Sequence, residues 1–388
     1  MSLIKLLMPL PKAKQQSLNQ IREFLTEEDY KKLKRLVKLG EIGLAKTSLK
    51  VSKKLIEDEE FPIVTPAKEN QEVLDLTKLW NSIIEQVIRE RKYKELSIDA
   101  DKKIKEFIAP HIIGLDAVKE ATILQLFAKD KLHILLLGDP STGKTDILRA
   151  TNELAPISSF GLGSGTSSVG LTAAINGKEV TKGLLPMADN GICCVDELNL
   201  MKARDRGSLL NAMEKGFVTY DKGNKHVRFD ARISLLATAN PKGDRFVGKQ
   251  PETWLKQIPF DPALLTRFHL VFFIRKPNKQ EFIDIAKKIV NQRERNLSIN
   301  DQLFIRDYIE FSQIVDVAFN EKLKTQIVDF AAKLKQDERK FLVEISPRTI
   351  LGIIRLAKAS ARVELRSKVE QKDLDKVFKL LEQSMYVK

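Results

Sequence analysis

The middle of the chain alternates short apolar runs with longer amphipathic stretches. Four of these runs have the length and composition of buried strands, and the stretches between them are long enough for helices. Near-continuous apolar strands that are joined through helices are typical of a parallel sheet covered on both faces. We therefore predict an α/β core. Its strands are predicted at 133–137, 192–195, 233–237 and 270–274.

The flanking segments have helical periodicity. Residues 1–104 are rich in lysine and glutamate and predict a helical N-terminal region, with an amphipathic helix at about 72–93. The acidic run and the prolines at 57–66 predict a linker within it. Residues 277–388 predict a helical C-terminal bundle, which leaves 105–276 for the α/β core.

The strongest chemical signal follows the first predicted strand. Eight residues match a phosphate-binding loop that opens a helix near Asp146. Glycine lets backbone N–H groups wrap around phosphates, and the helix N-terminus adds positive potential. The lysine is expected to reach the β- and γ-phosphates of ATP, and the threonine hydroxyl to coordinate Mg²⁺. The candidate nucleotide-binding residues are Gly138, Asp139, Pro140, Ser141, Thr142, Gly143, Lys144 and Thr145 of the loop, together with Asp146.

Polar residues follow the next two predicted strands. Asp196 and Glu197 come directly after the strand at 192–195. There we expect Asp196 to hold the Mg²⁺ shell and Glu197 to orient and deprotonate the attacking water. Asn240 follows the strand at 233–237, where its amide could hold that water against the γ-phosphate. Taken alone, an Asn-Pro pair is also a common turn.

Two arginines complete the candidate site. Arg267 lies just before the last predicted strand, and an arginine offered from a neighbouring subunit can stabilise charge that develops on a γ-phosphate. The alternative is a surface arginine that caps a helix. Arg348 falls in the first turn of a predicted helix, where a cation opposes the helix dipole, so contact with an anion is plausible.

These segments together resemble an AAA+ ATPase and, within that class, the minichromosome maintenance (MCM) replicative helicases. The likeness runs in continuous order from about residue 105 to residue 388, and its most specific part is the segment from Thr166 to Ala173. The other segments that carry it are 108–114, 138–140, 187–197, 211–214, 239–241, 264–268 and 355–359.

The resemblance implies a ring of identical subunits, usually a hexamer, with ATP between neighbours. In this family the neighbour supplies the residues at Arg267 and Arg348, and the subunit that binds ATP supplies the other catalytic groups, here Lys144, Glu197 and Asn240. The residues implied to lie against the adenine base are Ile108, Ala109, Ile112 and Ile113.

Two insertions mark the family. One is a helix-2 insert, here at about 169–182. The other is a hairpin that directly precedes the predicted strand at 233–237, here at about 217–232. Polar and apolar residues alternate along the hairpin segment, as they do in a β-hairpin. The resemblance implies that Lys222 stands where members of the family contact DNA. Lys222 and Lys225 on a rigid turn could follow a phosphate backbone through a pore. An ordinary surface hairpin is the alternative.

Some positions depart from the family pattern. Gly143 and Thr145 give the general form of the phosphate loop, Asn199 stands in place of an acid, and His269 stands where an aspartate is usual. None of these changes removes a catalytic group. About 105 residues precede the core, with no cysteine or histidine among the first 110. We therefore expect neither the family's zinc-bearing, OB-fold region nor its C-terminal winged helix.

Composition adds a compartment and a class of partner. The 66 basic and 52 acidic residues give a net charge of +14, which suggests a polyanion, although a solvated lysine-rich surface is equally compatible. Two adjacent cysteines cannot form a disulfide framework or a structural zinc site. We expect a reducing, cytoplasmic location, nucleoid-associated in a prokaryote or archaeon. No apolar run reaches the length of a membrane span.

The sequence thus predicts a ring-forming, ATP-dependent DNA helicase or translocase of DNA replication that moves DNA through a central pore. Two alternatives stay open. One is an AAA+ protein remodeller similar to the MoxR or chelatase ATPases, and the other is a partner-dependent helicase loader. Residues 1–104 are a candidate segment for docking a replication partner or for contacting DNA.

Overall fold

A computed structural model describes most of the chain after residue 88. Before it, the structure describes residue 31, residues 42–47 and residues 61–66. The chain divides into two compact units, Met1–Leu96 and Ser97–Lys388, which we describe separately. The description covers residues 89–385 apart from 177–178, 223–224, 244, 249–250, 292–297, 339–340 and 342–343.

In the first unit, strand β1 (Ile42–Thr47) pairs antiparallel with strand β2 (Phe61–Pro66). The predictions of an all-helical region and of a linker through 66 are therefore wrong at these residues. The lysine- and glutamate-rich composition hid a short stretch of β-branched residues that favours a strand. Proline is tolerated in β2 because both strands of a two-stranded pair are edge strands. Residues 89–96 are helical, and the rest of the helix predicted at 72–93 lies outside the described residues.

The second unit is built on a parallel sheet of five strands, which are β3 (Ile134–Gly138), β4 (Ser158–Leu162), β7 (Ile192–Asp196), β10 (Ser234–Ala239) and β11 (Leu270–Ile274). Their order in the sheet is β11-β3-β10-β7-β4. Strands β3, β7 and β10 are buried along their whole length, which agrees with their largely apolar sequences. The predicted α/β fold class is confirmed.

The edge strand β4 was absent from the predicted strands. Its sequence holds two serines and a glycine, so its apolar signal is weak. It is nevertheless placed in register with β7, with Ser158 opposite Ile192 and Leu162 opposite Asp196. Its position in the sheet comes from pairing with a buried neighbour, which a local pattern does not report.

Helices and two hairpins surround the sheet. Strands β5 (Ala173–Asn176) and β6 (Glu179–Lys182) form one antiparallel hairpin, and β8 (Phe217–Lys222) and β9 (Lys225–Asp230) form the other. The helices around the sheet are α1 (Ala100–Lys105), α2 (Asp116–Leu126), α3 (Lys144–Leu154), α4 (Ser168–Leu171), α5 (Leu184–Met187), α6 (Arg206–Lys215), α7 (Pro251–Gln257) and α8 (Pro262–Leu265).

Five longer helices make up the predicted C-terminal bundle. The fourth of them, α12 (Pro347–Val363), begins after the N-cap Ser346, which places Arg348 in its first turn as expected. No helix among the described residues is long and apolar enough to cross a membrane. The five helices are α9 (Lys279–Asn291), α10 (Ile299–Ser312), α11 (Glu321–Gln336), α12 (Pro347–Val363) and α13 (Gln371–Met385).

A buried histidine pair joins the bundle to the amino-terminal edge of the sheet. His133 and His269 stand immediately before β3 and β11, and the backbone N–H of His133 donates to Nδ1 of His269 at 2.9 Å. The guanidinium of Arg355 on α12 donates to the carbonyl of Lys131 at 2.6 Å and lies 3.0 Å from Nε2 of His269. Burial lowers the pKa of His133 to about 3 and lowers the pKa of His269 well below its usual value. Both rings are therefore buried without charge.

Candidate functional site

The phosphate-binding loop joins β3 to α3 at the carboxyl-terminal edge of the sheet. Two of its glycines are required by space. A Cβ added at Gly138 would lie 2.1 Å from the carbonyl oxygen of Ile274, and one at Gly143 would lie 2.7 Å from Cδ1 of Ile112. Gly143 is also the N-cap of α3, with φ +82°. The loop backbone is therefore held in one shape by its neighbours.

Lys144 lies inside this loop and is only 6% exposed. Its ammonium donates to the carbonyls of Gly138 and Asp139, at 2.8 and 2.5 Å, and to the hydroxyl of Thr142 at 3.3 Å. Burial lowers the pKa of Lys144 to about 8, although Asp139, Asp196 and Glu197 act in the opposite direction. The charge is thus costly where it stands, and an anion beside it would be strongly favoured.

Asp196 is the last residue of β7 and is 5% exposed. The hydroxyl of Thr145 donates to its Oδ1 at 3.2 Å, and the hydroxyl of Thr238 donates to the same oxygen. Thr238 in turn accepts the backbone N–H of Glu197 at 2.9 Å. One buried threonine on β10 therefore contacts both acids at the end of β7, through the carboxylate of Asp196 and the backbone of Glu197.

Asn240 follows β10 at the same edge. Its backbone N–H donates to Oδ1 of Asn199 at 3.0 Å. The carbonyl of Asn199 accepts from Arg206, at the start of α6, at 3.3 Å. Sequence reasoning missed Thr238 altogether and treated Asn199 only as a departure from the family pattern. Asn199, however, aligns the strand end that carries Asn240.

Two acids of the predicted site have other partners. Oδ1 of Asp139 accepts the backbone N–H of Phe246 at 3.0 Å, and Oδ2 accepts that of Lys276 at 3.1 Å. Its side chain thus anchors two neighbouring segments to the loop. Asp146 lies 3.8 Å from Nε2 of His111, in an exposed contact.

A cavity of about 920 Å³ opens beside the loop and is suited by position to a nucleotide base. Ile112 and Ile113 line it, as do Ser141, Thr142 and Gly143. The other two residues implied for the base do not line it. Ile108 is fully buried, and the carbonyl of Ala109 accepts from Lys119 at 2.8 Å. Helix α9 also lines the cavity, with Phe282, Ile285 and Ile289.

The two predicted arginines lie together, but at the other edge of the sheet. Nη2 of Arg267 donates to Oε2 of Glu214 at 2.8 Å, and its Nη1 donates to the carbonyl of Ala263. Arg348 donates to the carbonyl of Thr266 at 2.9 Å. Burial and then the charge of Arg267 lower the pKa of Arg348. The hydrogen bond and charge of Arg267 lower the pKa of Glu214.

The structure therefore brings the arginines to each other and not to the phosphate loop. Arg267 precedes the first residue of β11, whereas the carbonyl of Ile274, the last residue of β11, accepts from the loop at Asp139. Five strand residues span about 13 Å between their first and last Cα atoms at ~3.3 Å per residue. The candidate catalytic residues of one chain thus lie at two opposite ends of its parallel strands.

The hairpin residues predicted to contact DNA form the last described pair of β8 and β9. Lys222 pairs with Lys225 across the two strands, and the turn between them lies outside the described residues. At the base of the hairpin Val218 is buried in the core, while Arg228 stacks on the ring of Phe217 at 3.8 Å. The base of the hairpin is thus fixed to the sheet.

The helix-2 insert folds as α4 followed by the β5–β6 hairpin. The backbone N–H of Ser168 donates to Oδ1 of Asp205 at 3.0 Å, and its hydroxyl lies 3.3 Å from that of Ser208 on α6. Helix α6 therefore supports this insert at its first turn and continues into the β8–β9 hairpin after its last.

The residues at the carboxyl-terminal edge fit a nucleotide with a divalent cation. The loop offers backbone N–H groups at the N-terminus of α3, where close packing leaves no room for a Cβ at Gly138 or Gly143. The hydroxyl of Thr145 and the carboxylate of Asp196 lie within hydrogen-bond distance of each other. Oxygen ligands of this kind are those that Mg²⁺ prefers.

Comparison with known families gives two matches that together cover most of the chain. The MCM P-loop domain matches residues 88–293, and the MCM AAA-lid domain matches residues 303–385. The first of these matches spans more than half of the chain and contains both hairpins and the whole parallel sheet.

Individual relatives agree with this assignment. The chain is 32% identical over 327 residues to the DNA replication licensing factor MCM4 of Arabidopsis thaliana, covering 76% of this chain and 38% of the relative. It is 30% identical over 352 residues to the DNA replication licensing factor mcm7-B of Xenopus laevis, covering 84% and 48%. It is 28% identical over 317 residues to the minichromosome maintenance protein MCM of Saccharolobus solfataricus, covering 75% and 46%.

The chain thus spans less than half the length of each of these relatives. Within that span the order of phosphate loop, insert, paired acids, hairpin and C-terminal bundle is continuous. From its fold, its nucleotide-site geometry and these matches, we conclude that the chain belongs to the MCM family of AAA+ P-loop proteins.

Proposed function

We propose that this chain hydrolyses ATP in a ring of identical subunits, a hexamer by family resemblance, and uses the hydrolysis to move DNA through the ring. Membership of the MCM family and the names of its relatives support a role in DNA replication. The single observation that carries the ring is the separation of Arg267 and Arg348 from Lys144 across the sheet. A complete site then needs the phosphate loop of one copy and the two arginines of a second copy.

Within one copy, each residue at the carboxyl-terminal edge has a defined task. Lys144 releases the loop carbonyls and pairs with the β- and γ-phosphates, which relieves its unfavourable burial. Thr145 and Asp196 would hold Mg²⁺, which supplies neutralisation of phosphate charge when it is bound. Glu197, with its backbone fixed by Thr238, orients and deprotonates the attacking water. Asn240 positions that water.

The neighbouring copy would present Arg267 and Arg348 to the γ-phosphate. An arginine supplied in this way stabilises charge that develops during phosphoryl transfer. Both guanidiniums are part-buried and close to each other, so an incoming phosphate would relieve their mutual repulsion. The adenine base would lie in the cavity lined by Ile112 and Ile113.

The β8–β9 hairpin is the proposed contact with DNA. Its base is packed into the core at Val218, and it follows α6, whose first residue Arg206 donates to the carbonyl of Asn199, two residues after Glu197. A change at the nucleotide site can therefore shift the hairpin as one body. We propose that Lys222 and Lys225 contact the phosphate backbone, and that residues 1–104 dock a replication partner or DNA.

The shared site is tested by mixing two inactive variants. Lys144→Ala and Arg267→Ala are each expected to lose ATP hydrolysis by at least about a hundredfold. In an equal mixture about one interface in four combines an intact Lys144 with an intact Arg267 from its neighbour, so about a quarter of the wild-type rate should return. Mixing Lys144→Ala with Glu197→Gln is the control, since both defects lie on the same side of the interface and should not complement.

Mixed rings that stay inactive, under conditions where oligomers form, would overturn the shared-site proposal. The substrate is tested separately by strand displacement on forked DNA, with Glu197→Gln as the inactive control. Hydrolysis that is stimulated by a protein client and not by DNA would instead identify a protein remodeller.

A further inference from the structure

Helix α6 carries an acid that no part of the proposed reaction uses. Glu214 lies in its last turn, at the amino-terminal edge of the sheet, and Oε2 of Glu214 accepts from Nη2 of Arg267 at 2.8 Å. The side chain of Arg267 is 20% exposed, and its Nε is buried with no hydrogen-bond partner among the described residues. The two side chains come from positions 53 residues apart, so only the fold brings them together.

The contacts of Arg267 leave its guanidinium in one orientation. A guanidinium carries five N–H donors in a fixed plane. Ala263 accepts one from Nη1, and Glu214 accepts one from Nη2. One N–H on each terminal nitrogen has no hydrogen-bond partner in the part of the chain that the structure describes. Because the fork is planar and held at both ends, these two donors have a fixed direction, which is the geometry that bidentate phosphate recognition requires.

Glu214 also balances charge at this edge. Arg348 is attached to Thr266, the residue before Arg267, and the two cations repel. Glu214 acts in the opposite direction on Arg348 and stabilises its charged form. Without an acid here, nothing would offset the repulsion between the two part-buried guanidiniums. The less constrained of the two side chains would then turn into solvent.

The other end of α6 reaches the nucleotide edge of the same chain. Arg206, in its first turn, donates to the carbonyls of Met201 at 3.1 Å and Asn199 at 3.3 Å. Asn199 in turn holds the backbone of Asn240. Ten helical residues cover about 15 Å. Glu214 is therefore attached to a rigid element that spans the sheet, and not to a loop, so its carboxylate is well placed to fix a partner.

We propose that Glu214 is a positioning residue for phosphoryl transfer in the neighbouring copy: it holds Arg267, and through charge also Arg348, in the orientation that receives the γ-phosphate. The proposal rests on the shared site described above. In this proposal Glu214 acts through the two arginines and makes no direct contact with ATP or the attacking water. Its removal should therefore lower the catalytic rate while leaving the binding of ATP by the same subunit unchanged.

The test compares Glu214→Ala and Glu214→Gln with wild type in assembled rings. We expect kcat to fall by roughly tenfold or more in Glu214→Ala and by less in Glu214→Gln, which keeps a hydrogen-bond acceptor, with KM for ATP changed by less than about twofold. Glu321→Gln is the control: it removes another ion-paired carboxylate, that of Glu321 with Lys324 at 2.5 Å on α11, and should behave as wild type.

Complementation then locates the defect. Glu214→Ala mixed with Lys144→Ala should recover activity, since the second variant supplies an intact Glu214 and Arg267 to sites whose Lys144 is intact. Glu214→Ala mixed with Arg267→Ala should not recover, because both defects lie on the arginine side. A wild-type kcat in Glu214→Ala rings would overturn the proposal. So would a defect that Lys144→Ala subunits do not relieve.

The two levels of inference fail differently. If Lys144→Ala and Arg267→Ala do not complement each other, the shared site itself is wrong. If they do complement, and Glu214→Ala does not follow the same rule, the shared site stands and only the role of Glu214 is rejected. Ring assembly and urea midpoints of the variants, measured in parallel, separate a positioning defect from a folding defect.

Discussion

Thr238 offers the sharpest test of how this nucleotide site is built. Its hydroxyl donates to Oδ1 of Asp196 and accepts the backbone N–H of Glu197 at 2.9 Å, and the side chain is 2% exposed. The substitution Thr238→Val keeps the shape and removes both hydrogen bonds. Thr238→Ser is the matched control, because it keeps the hydroxyl and loses only one methyl group.

The magnitude follows from the two bonds. A hydrogen bond to a charged group contributes about 1.5–3 kcal/mol, and a buried N–H left without a partner costs about 1–3 kcal/mol. Adding the two contributions, we expect Thr238→Val to lower the free energy of unfolding by about 2.5–6 kcal/mol. Thr238→Ser should lose about 1 kcal/mol through the buried methyl group.

Activity should separate the variants further. Asp196 has two hydroxyl donors, Thr145 and Thr238, and in Thr238→Val only Thr145 stays to orient it. The Mg²⁺ concentration at half-maximal ATP hydrolysis should rise by about tenfold in Thr238→Val, which is the effect of losing an outer partner of a metal ligand, and should stay near wild type in Thr238→Ser.

Urea unfolding gives the stability change, and a Mg²⁺ titration of ATP hydrolysis by the folded variants gives the functional change. If valine and serine have the same Mg²⁺ dependence, the hydroxyl does not orient Asp196 and the reasoning fails. A stability loss without any change in Mg²⁺ dependence would limit Thr238 to a structural role.

Two further predictions concern other parts of the chain. His133 is 2% exposed, and burial lowers its pKa from 6.5 to about 3, so between these pH values the unfolded chain binds a proton that the folded chain does not. The free energy of unfolding should therefore fall by about 1.4 kcal/mol for each pH unit below 6.5. Urea midpoints measured from pH 7.5 to 4.5 should fall less steeply in His133→Asn than in wild type. Replacing Lys222 and Lys225 by alanine should make the fall of log affinity for single-stranded DNA with log salt shallower, by about 1.4 in slope for each copy engaged. Alanine at Lys322 and Lys324 on α11 is the control and should leave this slope unchanged.

The sequence alone specified the parts of this protein that depend on local patterns. A buried parallel strand is a continuous apolar run, so β3, β7, β10 and β11 were predicted within one or two residues. The phosphate loop is equally local, since its glycines and lysine are consecutive in the chain. Strand β4 was missed because its two serines and its glycine give a weak apolar signal, and β1 and β2 were missed because the lysine- and glutamate-rich composition around them predicted a helical region.

The candidate site divides in the same way. Lys144, Asp196 and Asn240 each follow a predicted strand, and parallel strands bring their carboxyl ends to one edge, so pattern and topology together place them. The roles of Thr238, Asn199 and Glu214 depend on partners 41 to 53 residues away. No spacing in the sequence signals such contacts, since they arise only when separate elements pack.

Asp139 is a residue whose motif predicted one contact and whose packing gave another. Its place in the phosphate loop predicts a contact with the nucleotide, yet its carboxylate accepts backbone N–H groups of Phe246 and Lys276, more than a hundred residues later. The sequence by itself determined the family and the α/β core and named the candidate nucleotide-site residues, because apolar strand runs and the motifs that follow them are local patterns. Only the tertiary structure decided that the arginines face away from their own phosphate loop and that Glu214 holds one of them, because the order of strands in a sheet and the reach of a helix across it are properties of packing.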